Sequence, residues 1–297
     1  MTRAGAARRD GVRGPGQGLV VAMINSDGKS APVLPDRAGV TTELHDLRFR
    51  SFARTPYDRL FTELGTLDAA ERALASGCDA VYVDSFADYA VDAIRSVATV
   101  PVVGAGEAAI GAASAGGRRF SIVTVWPRSM RFLYDERLTR SAGGERCAGV
   151  HFVSPEDELE RVGTGTGVRA RMRRQEEGVV EWVAQACADA VATDGSDAVL
   201  LGCTCMSPIS RQVGELCAVP VLDASAAGQQ AALSALQEPD RWTLAAAPAA
   251  ARSGRAVRLV DAWFTGPPEP GLVADTCGTC VIAVDDVQDA AAPVATA

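Results

Sequence analysis

The chain has 297 residues, 47% of them hydrophobic and 22% charged, enough for one large α/β domain or two modest ones with a substantial core. A net charge of −8 with only 5% aromatic residues excludes a protein built to grip nucleic-acid phosphates or stack on bases. Lys29 is the sole lysine, so Schiff-base or pyridoxal-phosphate chemistry would have to run through it, and no apolar run reaches the roughly 18 residues of a membrane span.

In chain order, residues 1–17 are basic and glycine-rich without a signal-type apolar core, and read as a disordered tail. Apolar runs then predict strands at 19–25, 80–84, 100–104, 120–125, 199–202 and 219–223. Amphipathic stretches between them predict helices at 67–76, 89–96, 129–139, 169–192 and 209–216. This alternation is the βα rhythm of mainly parallel sheets. The run Arg171, Arg173, Arg174, Glu176, Glu177 reads as the solvated face of the long fourth helix. Beyond residue 237, residues 240–242, 257–264 and 272–284 alternate enough to form added strands. Cys277 and Cys280 have knuckle spacing but no second ligand pair, so no metal is expected. The eight cysteines are too sparse for a disulfide framework and read as reduced thiols in a cytoplasmic protein.

The chain contains an internal repeat. Asp79-Ala80-Val81-Tyr82-Val83-Asp84-Ser85 matches Asp197-Ala198-Val199-Leu200-Leu201-Gly202-Cys203 in register. Each copy leads to a second strand, Val100-Pro101-Val102-Val103 and Val219-Pro220-Val221-Leu222, after 15 and 16 residues. Two similar βαβ units imply two similar halves. Ligands of open parallel sheets sit beyond the carboxyl ends of the strands, where Ser85 and Cys203 both fall, so halves that face each other put these side chains on one cleft. Cys203 also precedes a helix start signalled by Ser207 as cap and Pro208, and a helix N-terminus pulls a thiol pKa down from about 8.5.

Several segments carry a resemblance: Val20 to Asn25; Gly77-Cys78-Asp79-Ala80 through Asp88; Val100 to Ala109 with Gly104-Ala105-Gly106-Glu107; Arg119 to Thr124 with Arg128-Ser129; and Val199-Leu200-Leu201-Gly202-Cys203. From about Leu19 to Leu236 the chain resembles the hydantoin racemase branch of the aspartate/glutamate racemase superfamily. The resemblance implies two pseudo-symmetric, flavodoxin-like α/β halves with mainly parallel sheets and a cleft between them. It divides the chain into residues 18–118 plus 225–236, residues 119–224, and an extension over 237–297 outside the likeness. It also implies a cofactor-independent isomerase in which one cysteine from each half flanks the substrate's α-carbon, one removing the proton and the other returning it. Relatives commonly form homo-oligomers.

Ser85 stands where the family's first catalytic cysteine falls, and a hydroxyl is a far weaker acid than a thiol. Cys203 is then the expected acid/base and Ser85 its partner across the cleft. The alternative is a lyase of the arylmalonate decarboxylase kind, which keeps only the second cysteine and protonates an enolate from one face, with Ser85 donating to the oxyanion. A ligand-binding remnant without catalysis is a third reading. Asn25 and Thr124 end matching strands and are expected to hydrogen-bond a small carboxylate or imide substrate. An anion is expected between Ser85 and Cys203 on backbone amides near Phe86 and Thr204, with no arginine cluster. Glu107 reads as a helix-start charge, and Gly104-Ala105-Gly106 as too little for a nucleotide fingerprint.

Overall fold

The computed structural model describes residues 18–25, 39–242 and 254–265. The chain runs β1 (Leu19–Asn25), β2 (Val40–Asp46), α1 (Pro56–Ser76), β3 (Ala80–Val83), α2 (Val91–Arg95), β4 (Val102–Gly104), α3 (Ala105–Ser114), β5 (Phe120–Thr124), α4 (Arg131–Arg140) and β6 (Cys147–Phe152). It continues through α5 (Val168–Arg173), α6 (Glu177–Asp194), β7 (Ala198–Leu201), α7 (Ser207–Leu216), β8 (Val221–Asp223), α8 (Ala224–Ala235) and α9 (Arg255–Thr265). Two four-stranded parallel sheets result, ordered β2-β1-β3-β4 and β6-β5-β7-β8, the second repeating the strand order of the first.

The repeat is visible down to single bonds. The Asp79 carboxylate accepts the Val20 amide at 2.8 Å, and the Asp197 carboxylate accepts the Arg119 amide at 2.9 Å, so each copy's leading aspartate pins the neighbouring strand. The inner strands β1, β3, β5 and β7 are near-continuous buried runs because helices cover both faces. In β1, Val20, Ala22 and Ile24 pack toward Ala69, Ala70 and Ala73 of α1, while Val21 and Met23 point to Ala232 and Leu233 of α8. α8 thus follows β8 of the second sheet yet closes the first. The largest apolar cluster surrounds the second sheet and takes in Ala109, Ile110 and Ala113 of α3, so that helix is shared between the halves.

The six strands expected between residues 19 and 223 are all present, and two more appear. β2 is an edge strand of polar residues with little burial, and β6 is only half-buried along its length, so neither shows strong apolar patterning. The expected helix over 67–76 is the second half of α1. That helix starts with a capping box in which Thr55 accepts the Asp58 amide, has Pro56 in its first turn, and stops at Gly77 in the left-handed region. The single helix expected over 169–192 is wrong. Gln175 has a φ of +53° and breaks it into α5 and α6, while Arg171 and Arg174 both reach forward to Glu176, the residue that precedes α6. The arginine–glutamate run is therefore a clamp on a turn. Two of the strands expected beyond residue 237 are helical instead: Pro239–Arg241 forms a 3-10 turn in place of a strand at 240–242, and residues 257–264 lie in α9, which packs on α1 with Ala256 and Val260 buried one turn apart. Residues 1–17 and 272–284, with Cys277 and Cys280, lie outside the described residues.

Candidate active site

Beyond β3 the chain turns through Asp84-Ser85-Phe86-Ala87-Asp88, with the Asp88 amide donating to the Ser85 carbonyl at 3.0 Å. Asp88 anchors this loop. Its fully buried carboxylate accepts the Gly106 and Glu107 amides at 2.7 and 2.8 Å and pairs with Arg137 of α4 at 2.8 Å. Burial pushes the Asp88 carboxyl up to about 7, against the opposing pull of Arg137. Gly104 and Gly106 are explained by the same contact. A Cβ on either would collide with the Asp88 carboxylate, and one on Gly106 also with the Phe86 carbonyl. The Gly-Ala-Gly segment therefore makes room for a protein carboxylate that already occupies the α3 N-terminus. Glu107 is a helix-start charge, as expected, and also pairs with Arg95 at 3.0 Å.

The matching loop beyond β7 is Gly202-Cys203-Thr204-Cys205. Gly202 is required by close packing: a Cβ there would lie 2.6 Å from Ile122 and 2.9 Å from the Tyr134 ring. Cys203 is extended and caps a 3-10 turn over Thr204–Met206, its sulfur accepting the Cys205 amide at 3.2 Å. Ser207 is the first residue of α7 and not its cap, because its hydroxyl donates to Asp223. The sulfurs of Cys203 and Cys205 are joined as a disulfide, which corrects the expectation of reduced thiols for this pair; Cys78, Cys147, Cys187 and Cys217 are free.

Ser85, Phe86, Cys203 and Thr204 line one cavity of about 390 Å³ between the carboxyl ends of the two sheets. Phe52, Tyr89, Trp126 and Tyr134 supply an aromatic wall. Asn25 and Thr124 are buried and do not line it. Asn25 donates to the Asp84 carboxylate at 3.4 Å, and the Thr124 hydroxyl bonds that of Tyr134, which in turn donates to the Gly202 carbonyl at 2.8 Å. These two strand-end residues hold the loops that hold Ser85 and Cys203. Asp84 also accepts the Tyr82 and Ser225 hydroxyls, both at 2.9 Å, and burial raises its carboxyl to about 6.

The charged lining departs from expectation, because Arg50, Arg169 and Arg173 line the cavity and, among the described residues, no acidic side chain does. Sequence patterning assigned Arg173 to a solvated face and gave Arg169 no role beyond the start of a helix; in the structure the break at Gln175 separates α5, which carries both, from α6. Neither histidine lines the cavity. His151 is bound to Asp194 at 2.7 Å, and His45 sits by Glu43.

Comparison with known proteins follows the same lines. A curated hydantoin racemase from Paenarthrobacter aurescens is 31% identical over 169 residues, 56% of this chain and 66% of that protein, just under two thirds of its length. Among solved structures, allantoin racemase from Klebsiella pneumoniae aligns with a TM-score of 0.59 at 24% identity, covering 74% of this chain and 88% of that one. Allantoin racemase from Pseudomonas fluorescens aligns at 0.60 and 20% identity, covering 74% and 92%. These structural likenesses establish the two-half fold. The Asp/Glu/Hydantoin racemase family model matches residues 31–232, which carry both repeat copies and the cleft between them, and the chain belongs to that family.

Proposed function

We propose that the chain is a cofactor-independent racemase or epimerase that moves a proton at a carbon α to a carbonyl, on a hydantoin-like imide or small carboxylate, with Cys203 as the acid/base. The observation that supports this reading most is that Ser85 and Cys203, which end equivalent strands of the two halves, line the same cavity. In the reduced protein the Cys203 thiolate takes the α-proton and the electron pair moves onto the carbonyl oxygen as an enolate. The Cys205 amide, directed at the Cys203 sulfur, favours the thiolate, and the aromatic wall keeps water from competing for it. A cavity of about 390 Å³ accommodates a five-membered imide with one apolar substituent.

Ser85 favours a second reading. A hydroxyl cannot match a thiol as a proton donor at neutral pH, so the two faces of the α-carbon are not served equally. A lyase that forms the enolate by loss of carbon dioxide needs only Cys203 to protonate it, with Ser85 as a donor to the oxyanion. The reduced protein is tested in heavy water with each enantiomer of a 5-substituted hydantoin and, separately, with a substituted malonate. Deuterium entry with loss of optical activity from either hydantoin, abolished in Cys203→Ala, supports the racemase. Carbon dioxide release from the malonate with one-handed deuteration supports the lyase, and activity surviving in Cys203→Ala overturns both.

A further inference from the structure

The segment that follows Ser85 is bent twice. Asp88 and Ala90 both take left-handed backbone conformations, with φ of +49° and +58°, although neither is glycine. Such strain persists only where the surrounding structure holds it, and it gathers at functional sites. Asp88 is held by its bonds to α3 and to Arg137, whereas Ala90, at the start of α2, has no side-chain cap to offset its conformation. Between the two lies Tyr89, only 8% exposed, which lines the cavity. Its hydroxyl makes no hydrogen bond among the described residues, yet its oxygen is not closed off by protein and so opens onto that cavity. The charged neighbours Arg59 and Glu63 of α1 are engaged elsewhere, Arg59 binding Glu63 at 2.8 Å and Glu136 at 2.9 Å. Tyr134, within electrostatic reach, differs in that its hydroxyl is spent on Thr124 and the Gly202 carbonyl. Burial pushes the Tyr89 hydroxyl well above its ordinary value, against the pull of Arg59, so it stays a proton-bearing donor. A buried hydroxyl left unpaired costs the free protein stability, and one kept in that state on a cavity wall points to a ligand.

We propose that Tyr89 is a specificity-determining residue whose hydroxyl donates to a carbonyl oxygen of the bound substrate. The assignment rests on the reading of this cavity as the site of α-proton transfer, and it narrows the substrate to a compound that presents an acceptor oxygen to the loop carrying Ser85. The two left-handed residues set the direction of the side chain before the substrate arrives, so little freedom is lost on binding. A carbonyl oxygen completes the bonding of the hydroxyl. A substrate with a poor acceptor at that place leaves the donor buried and unpaired, the situation in which a hydrogen-bonding site discriminates most strongly. The rings of the aromatic wall take the apolar part of the substrate, and the Tyr89 hydroxyl decides how the polar part is turned.

The test is calorimetric binding to the full-length Cys203→Ser variant, which removes turnover, at a pH where each probe is neutral. The probes are 5-benzylhydantoin and its 2-thio and 4-thio analogues, in which a weakly accepting sulfur replaces one carbonyl oxygen. One thio analogue is expected to bind about 10-fold more weakly than the oxygen compound, the range of one hydrogen bond whose donor is left unpaired. Adding Tyr89→Phe should abolish that difference. The same substitution should leave the unfolding midpoint unchanged or higher, because the hydroxyl serves no protein group. Equal binding of all three probes, no binding of any, or a preference for oxygen that survives Tyr89→Phe overturns the assignment. A Tyr89→Phe protein that unfolds more easily also overturns it, since the hydroxyl would then serve the fold. A Tyr89-dependent preference in a protein whose wild type exchanges no α-proton keeps the assignment and defeats the racemase reading, and exchange without that preference does the reverse.

Discussion

The Thr204 hydroxyl donates to the Asp84 carbonyl at 3.3 Å, joining the turn that follows Cys203 to the residue that precedes Ser85. It is a direct hydrogen bond between the two repeat copies at the cleft, and it ties the turn that carries Cys203 to the loop that carries Ser85. Thr204→Val keeps the shape and removes the donor. A stability loss of about 1 kcal/mol is expected, as for an ordinary hydrogen bond. The loss in kcat/KM should be larger, on the order of 10- to 100-fold, because a misplaced acid/base is costly. Thr204→Ser should recover both. Equal small losses in stability and turnover would show that the bond does not set the geometry.

Asp88 and Arg137 join the halves a second time, in a fully buried pair that also caps α3. Breaking such a pair leaves an uncompensated charge, so Arg137→Ala should cost about 3–5 kcal/mol in denaturant unfolding. Gly106→Ala drives a methyl into the Phe86 carbonyl and the Asp88 carboxylate, and should shift the Ser85 loop. The expected result is loss of turnover with a smaller stability cost, about 1–3 kcal/mol. A Gly106→Ala protein with wild-type turnover would show that this loop does not position the site.

The pH dependence of stability isolates Asp84. Burial raises its carboxyl from 3.8 to about 6 in the folded protein, so the folded state holds this proton more tightly than the unfolded chain. Its contribution is therefore fully present below pH 3.8 and is lost as pH rises through about 6. Asp88 titrates with the same sign, so the measurement is a difference: unfolding free energy of wild type minus Asp84→Asn, followed from pH 4 to 8. That difference should fall by about 2 kcal/mol between pH 4 and 6, by a few tenths more up to about pH 7, and then stay flat. A difference that is level with pH, or that rises, would place the Asp84 titration elsewhere.

The two-half fold and the meeting of Ser85 with Cys203 were legible because they are written in strand-length apolar runs and in a repeat that keeps register. The functional meaning of the residues around them was less so. Asn25 and Thr124 end the matching strands as expected, yet their polar groups are spent on Asp84 and Tyr134, because a buried loop must satisfy its own donors before a ligand's. Arg169 and Arg173 were hidden by a helix break at Gln175, with no glycine or proline to announce it. The aromatic wall draws Phe52, Trp126 and Tyr134 from separate elements, a convergence that only tertiary structure creates. The Asp88 contact with Gly106 had a local trace in the Gly-Ala-Gly spacing, but its partner lies 18 residues away.

The bond between Cys203 and Cys205 makes the clearest demand on activity. A disulfide sulfur carries no proton and is no thiolate, so in this state Cys203 can neither take a proton from carbon nor return one. A dithiol reductant transfers two electrons and two protons, becoming a disulfide itself and leaving thiols at Cys203 and Cys205. Both residues line the cavity and are only half-buried, which gives a small reductant a route to them. Protein prepared under oxidising conditions should show α-proton exchange at least 10-fold slower than after dithiothreitol, with mild hydroperoxide reversing the gain, since rates of proton transfer depend on the catalytic group by about 100-fold or more. Cys205→Ser removes the partner while retaining the backbone amide that faces Cys203, and should be active with or without reductant. Peptide mapping after iodoacetamide supplies a readout independent of substrate. Cys203 should be alkylated only after reduction in the wild type, and in both conditions in Cys205→Ser. Full alkylation of Cys203 in the oxidised wild type, or a Cys205→Ser protein that still requires reductant, would show that this bond does not govern the reactive sulfur.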